Sequence, residues 1–206
     1  AARVLSTVGL VLIGASLFII AFAPILIPWM APGFSTEGLK LAVDLTRVMA
    51  LSPIFLGLSA VVGGVMQSMR RFIGFALAPV FYNLGIIAGT LLLGPTFGVM
   101  GSAFGVVFGA FLHLVVQSVA ANGIGLWPPI APSFKDPGVR RILGLMGPRM
   151  AALGVSQVSL TVLFAIATLT ETGAIAVFNL SNNIQSFPLG LFGISFAIAA
   201  FPALSR

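Results

Sequence analysis

Residues 4–30 read VLSTVGLVLIGASLFIIAFAPILIPWM, an apolar run without a charged side chain. A helix needs about 20 such residues to cross the hydrocarbon core of a bilayer, so this stretch can span a membrane. It exceeds the apolar segment of a signal peptide, and no small-residue cleavage site with a polar mature segment follows it. Arg3 leads straight into it and the chain opens on Ala1, which suggests a segment of a longer protein.

Outward from this run the same pattern recurs. The turn Ala31-Pro32-Gly33-Phe34-Ser35 closes the first span, because Pro and Gly together break a helix. A second span is expected at Leu39–Met69, with Lys40, Asp44 and Arg47 in its interfacial first turns and a kink at Pro53. Arg70-Arg71 ends it. The third and fourth follow at Phe72–Leu93 and Val99–Ala121. A polar connection from Asn122 to Asp136 leads to Asp136-Pro137, which reads as an N-cap with a first-turn proline. Gly138–Met146 is expected to lie on the membrane surface as a short amphipathic helix. The fifth and sixth spans are expected at Pro148–Thr170 and Gly173–Leu204.

Composition agrees. Of 206 residues, 59% are apolar and only 7% charged, and mean hydropathy is +1.16. A soluble domain carries about 25% charged residues, so a soluble enzyme and a disordered chain are both excluded. Long continuous runs, in place of short alternating ones, exclude a transmembrane β-barrel. The fold class is therefore an all-α integral membrane protein of about six transmembrane helices. Cysteine is absent, which removes disulfides, thiol chemistry and thiolate metal sites.

The net charge of +6 is informative through its placement. Arg3, Arg70, Arg71, Lys135, Arg140, Arg141, Arg149 and Arg206 fall on one side of the expected spans, and only Lys40 and Arg47 on the other. By the positive-inside rule the first side is cytoplasmic, including both ends of this segment. The basic residues thus read as topology signals, not as a nucleic-acid surface, and Arg47 as an interfacial anchor. Gly85 and Gly89, then Gly101, Gly105 and Gly109, recur at helical spacing and predict close helix packing.

No catalytic constellation occurs: HExxH, GxSxG and P-loop patterns are absent, and the four carboxylates form no close pair in a span. The chain reads as a non-enzyme with no cofactor or metal. His113, alone in mid-span, is expected to be packed and hydrogen-bonded, and Asn83 to repair the backbone group that Pro79 frees. Polar residues at membrane depth are costly, which makes them candidates for function. The densest group is Asn179, Ser181, Asn182, Asn183, Gln185 and Ser186. Asn179, Asn182, Asn183 and Ser186 are three and four apart and share one helix face, which is expected to line water or a polar ligand. Arg149, with Ser156 and Gln157 two turns deeper, either snorkels to headgroups or grips phosphate through its guanidinium fork.

These residues carry a resemblance. Ala31-Pro32-Gly33-Phe34, Thr46-Arg47-Val48-Met49, Gly63-Gly64 with Gln67-Ser68 and Arg71-Phe72, Ala78-Pro79 with Asn83, Met146-Gly147-Pro148, Val155-Ser156-Gln157, Phe187-Pro188-Leu189-Gly190-Leu191-Phe192-Gly193 and Phe201-Pro202-Ala203-Leu204-Ser205-Arg206 occur in order. Together they resemble the MurJ (MviN) family of lipid II flippases, in the multidrug/oligosaccharidyl-lipid/polysaccharide exporter superfamily.

The resemblance implies the third to eighth helices of a 14-helix, two-lobe bundle in the bacterial cytoplasmic membrane. Residues 1–122 would be the last four helices of the N-terminal lobe. Residues 123–147 would be the cytoplasmic connection, and 148–206 the first two helices of the C-terminal lobe. The implied function is flipping of lipid II, or another undecaprenyl-diphosphate-linked substrate, by alternating access for cell-wall synthesis, with Asn182 and Asn183 on the headgroup and Arg149 at the cytoplasmic mouth. Membrane lipids and cell-wall synthesis proteins are the implied partners.

The chain departs from the family pattern where the family carries charge. Asn182 and Asn183 replace an Asp-Arg pair, Ser186 replaces a Glu, and Leu163 stands at an acidic cation-site position, so sodium coupling through that residue is not expected. Pro53 falls about two residues later than usual. Two rival readings are an exporter of polysaccharide or drugs from the same superfamily, and a non-transporting scaffold for cell-wall enzymes.

Overall fold

The structure is a computed structural model and describes residues 2–123, 132–171 and 173–188. These residues form helices and turns, without a strand among them. The helices are α1 (Ala2–Met30), α2 (Thr36–Met49), α3 (Ser52–Ser68), α4 (Ile73–Phe97), α5 (Val99–Ala120), α6 (Pro137–Thr168) and α7 (Ala174–Pro188). Five stretches among the described residues are long and apolar enough to cross a membrane: α1, α2 with α3, α4, α5 and α6. The expected sixth span starts with α7; its remainder, with Gly190 and Gly193, and Arg206 beyond it lie outside the described residues.

Local chemistry sets the boundaries. Ser35 caps α2 by accepting from the Gly38 N–H at 3.2 Å. The expected second span is two helices that break at Ala50–Leu51. Pro53 lacks an N–H and its ring crowds the carbonyl four residues back, so the α2 ladder stops there. α4 runs through Pro95 to Phe97, past the expected end at Leu93, because the break falls at Gly98. Gly98 has φ +57° and ψ −136°, a conformation open to glycine but not to a residue with Cβ. It joins α4 and α5 in a single residue.

The expected surface helix at Gly138–Met146 and the expected fifth span run on as one helix, α6. Proline has a helical φ, and Gly147 alone supplies no turn. Pro148 therefore costs α6 one hydrogen bond without ending it.

α4 and α5 form the tightest pair. A Cβ on Gly85 would strike the Gly109 backbone, and one on Gly89 the Gly105 backbone. Small residues at this spacing let backbones meet, as the sequence pattern predicts. α3 packs on α5, where Val62, Met66 and Ala121 are buried with Leu5 of α1 against them. Ser59 Oγ lies 2.7 Å from Nδ1 of His113, so His113 is packed and hydrogen-bonded as expected. Gln117 is buried against Gly63. α1 crosses α3 where Leu12 meets Gly57 and Leu58 meets Gly9. Large apolar side chains such as Leu17, Leu92 and Val155 point outward, the arrangement that lipid as solvent requires.

Candidate functional site

α7 carries the polar stripe. Its helix pairs with α6, and the rings of Phe164 and Phe178 meet edge to face at 5.4 Å. Asn179, Asn182, Asn183 and Ser186 are all exposed. The Ser186 hydroxyl donates to the Asn182 backbone carbonyl at 2.7 Å, so it is satisfied inside its own helix. The side-chain amides of Asn179, Asn182 and Asn183 bond to no described residue. Each therefore keeps two donors and an acceptor free for a neutral or anionic polar group.

Arg149 is exposed on α6, one residue after Pro148, and bonds to no described residue. It precedes Phe164 by fifteen residues, whereas Asn183 follows Phe178 by five. At a rise of about 1.5 Å per residue their heights along the α6–α7 pair differ by roughly 15 Å. The structure thus groups the asparagines but does not bring Arg149 to them. Ser156 and Gln157 stand level with Gln185 and Ser186 by the same register. Leu163 is exposed one residue before the ring pair.

The two ends of α6 are fixed to α1 and its turn. At one end Asp136 accepts from the Gly138 N–H at 2.9 Å and the Val139 N–H at 3.3 Å, capping α6. Arg3 donates to the same carboxylate at 3.2 Å. The Ser133 N–H donates to Thr7 Oγ1 at 3.0 Å. Arg3 foremost, then the Val139 amide, holds the Asp136 carboxyl below the usual carboxylate range. At the other end the Gly33 N–H donates to Thr168 Oγ1 at 3.1 Å. Between these ties residues 140–159 of α6 are exposed. Arg71 Nη1 donates to the Asn122 carbonyl at 3.5 Å, and Leu5 packs on Met66 and Ala121. These contacts gather Arg3, Arg70, Arg71 and Lys135 at one end of the molecule.

The chain matches, over residues 1–206, the family model described as lipid II flippase MurJ. The chain belongs to the MurJ family. It is 30% identical to a probable lipid II flippase MurJ of Rickettsia prowazekii, over 99% of this chain and 41% of that protein. It is 30% identical to the lipid II flippase MurJ of Burkholderia cenocepacia, over 100% of this chain and 40% of that protein. A third relative, the probable lipid II flippase MurJ of Vibrio cholerae, is 31% identical over 86% of this chain and 34% of its own length. The chain therefore spans about two fifths of the first two relatives.

In this MurJ-family chain Arg47 bonds across to α1. Arg47 Nε donates to the Ile20 carbonyl at 3.2 Å. Ile20 lies ten residues before the end of α1, about 15 Å from the Met30 turn. Arg47 thus sits beside the middle of α1 and not at the turn, where an interfacial anchor belongs. The signal was present in the sequence: Pro24 has no N–H, which orphans the carbonyl four residues back, and that residue is Ile20. Asn83 differs from its expected role. Its Nδ2 donates to the Pro79 carbonyl at 2.8 Å, whereas the group Pro79 frees is the carbonyl of Phe75.

Proposed function

We propose that the full protein flips lipid-linked peptidoglycan precursor across the bacterial cytoplasmic membrane by alternating access. The observation that carries this reading is the match of the whole chain to the lipid II flippase family. In it, residues 1–122 form the last four helices of the N-terminal lobe and residues 148–206 the start of the C-terminal lobe. What supports it is the packing inside residues 1–122, where α1 packs on α2 and α3, and α5 on α2, α3 and α4, whereas α6 meets these helices chiefly through α1. The basic end with Arg3, Arg70, Arg71 and Lys135 faces the cytoplasm.

The asparagine stripe supplies the headgroup contact. A sugar–diphosphate group is rich in hydroxyls and phosphate oxygens, and free amides donate to both and accept from the former. Three neutral amides bind such a group without trapping it, as a carrier requires. Arg149, nearer the basic end, meets the diphosphate first as the headgroup enters, and its charge-assisted fork suits phosphate oxygens.

The test uses the full-length gene in a bacterium depleted of its own lipid II flippase, with membrane expression verified. Wild type restores growth and outer-leaflet lipid II, and Asn182→Ala/Asn183→Ala does not. A well-expressed wild type that neither restores growth nor binds lipid II when purified overturns the flippase reading. Full rescue by the double variant overturns the headgroup site alone.

A further inference from the structure

The corner between α3 and α4 holds a conformational outlier. Arg70 has φ +57° and is the sole non-glycine residue with positive φ among those described. The corner is otherwise regular. The Arg70 N–H bonds the Gln67 carbonyl at 3.0 Å and the Arg71 N–H bonds the Met66 carbonyl at 2.9 Å. This is the paired reverse bonding that closes a helix through a left-handed residue, a position where glycine is usual. Glycine would make the same bonds without strain, so the backbone does not account for an arginine here. Strain of this kind points to a use for the side chain.

Beside Arg70 lies a groove of about 710 Å³ between the end of α3, α4 and α5. Met66, Ile73, Leu77, Phe81 and Val119 line it, with Arg70 and Arg71 at one end. From Ile73 to Phe81 it runs about 12 Å along α4. Neither guanidinium meets a carboxylate among the described residues; Arg71 reaches only the Asn122 carbonyl. The first turn of α4, which has no side-chain cap, adds free backbone N–H groups at the same mouth. None of the lining residues belongs to α1, α6 or α7, so the groove is separate from the asparagine stripe.

An apolar slot that opens between two unpaired cations at the end of a membrane bundle fits an amphiphile with an anionic head. We propose that this groove holds one acyl chain of an anionic glycerophospholipid whose phosphate sits between Arg70 and Arg71. The lipid is a resident of the α3–α4–α5 face and not the transported molecule.

The test takes the full-length protein in bilayers of phosphatidylcholine with a minor share of phosphatidylglycerol, and weighs the lipid that stays bound after extraction. Wild type retains phosphatidylglycerol over phosphatidylcholine by about tenfold relative to the bilayer. Arg70→Gly/Arg71→Gln brings that ratio near one, with thermal stability in phosphatidylcholine equal to wild type or higher, since glycine fits the corner. Leu77→Trp fills the slot, keeps both charges and also lowers the retained phosphatidylglycerol. Equal retention of both lipids by wild type overturns the proposal, as does enrichment that survives the double arginine variant. Undiminished retention in Leu77→Trp overturns the groove and leaves surface attraction alone. A cross-link from position 77 to another helix of the full chain also overturns it, because protein would then fill the slot. No readout involves transport, so failure here is distinct from failure of the flippase reading.

Discussion

Arg47 Nε donates to the carbonyl of Ile20 at 3.2 Å, the group that Pro24 leaves without a helical partner. The bond joins the last turn of α2, just before its break at Ala50–Leu51, to the point where Pro24 opens the hydrogen-bond ladder of the continuous α1. In an apolar surround an orphan carbonyl costs free energy, and a charged donor satisfies it well. Asp44 stands 3.9 Å from Nη1 of Arg47 and steadies the same guanidinium.

This relationship predicts a coupling. Arg47→Met should destabilise the purified full-length protein by about 1–2 kcal/mol. Pro24→Ala restores an N–H for Ile20, so in that background the same change should cost distinctly less. A double-mutant cycle read by thermal denaturation in detergent checks it; additive effects would refute the pairing.

The glycine contact between α4 and α5 sets a second expectation. Gly85→Ala or Gly89→Ala drives a methyl group into the facing backbone and should cost about 2 kcal/mol. Gly64→Ala and Gly94→Ala have open space at the new atom and should be neutral or slightly stabilising. The same denaturation assay separates the two pairs, and equal behaviour would contradict the close approach.

The Asp136 tie predicts a pH dependence of known sign. Its folded carboxyl titrates below the usual carboxylate range, chiefly because of the Arg3 hydrogen bond. The stabilisation is therefore fully present above the unfolded pKa and is lost as pH falls through the lower folded one. Asp136→Asn should lower stability at neutral pH, and its difference from wild type should shrink in strong acid. A difference that stays constant across that range would show that the carboxylate charge is irrelevant.

Gly33 approaches Thr168 so closely that a Cβ would overlap the Thr168 carbonyl. Gly33→Ala should therefore part the α1–α2 turn from the end of α6. In the full-length protein, with any cysteine outside this chain replaced, spin labels at Ser35→Cys and Thr170→Cys report this directly. The label distance should lengthen or broaden in Gly33→Ala, and an unchanged distribution would refute the tie.

Much of this was legible in the sequence because hydropathy is a local quantity when lipid is the solvent. Each long apolar run had to become a helix, since no other local structure satisfies its backbone in hydrocarbon. A distortion at Pro53, though not its full break into two helices, the close packing at Gly85 and Gly89 and the Asp136 cap followed from single residues and their spacing. What sequence could not decide was register between helices. Arg3 meets Asp136 across 133 positions, and Gly33 meets Thr168 across 135. No local pattern encodes either meeting. The depth of Arg47 beside Ile20 likewise depends on how helices stack. The sequence by itself determined that the apolar runs among the described residues are helical and set Arg3, Arg70, Arg71 and Lys135 on one side of them. Only the tertiary structure decided which polar groups find partners, because that depends on the relative height and rotation of helices far apart in the chain.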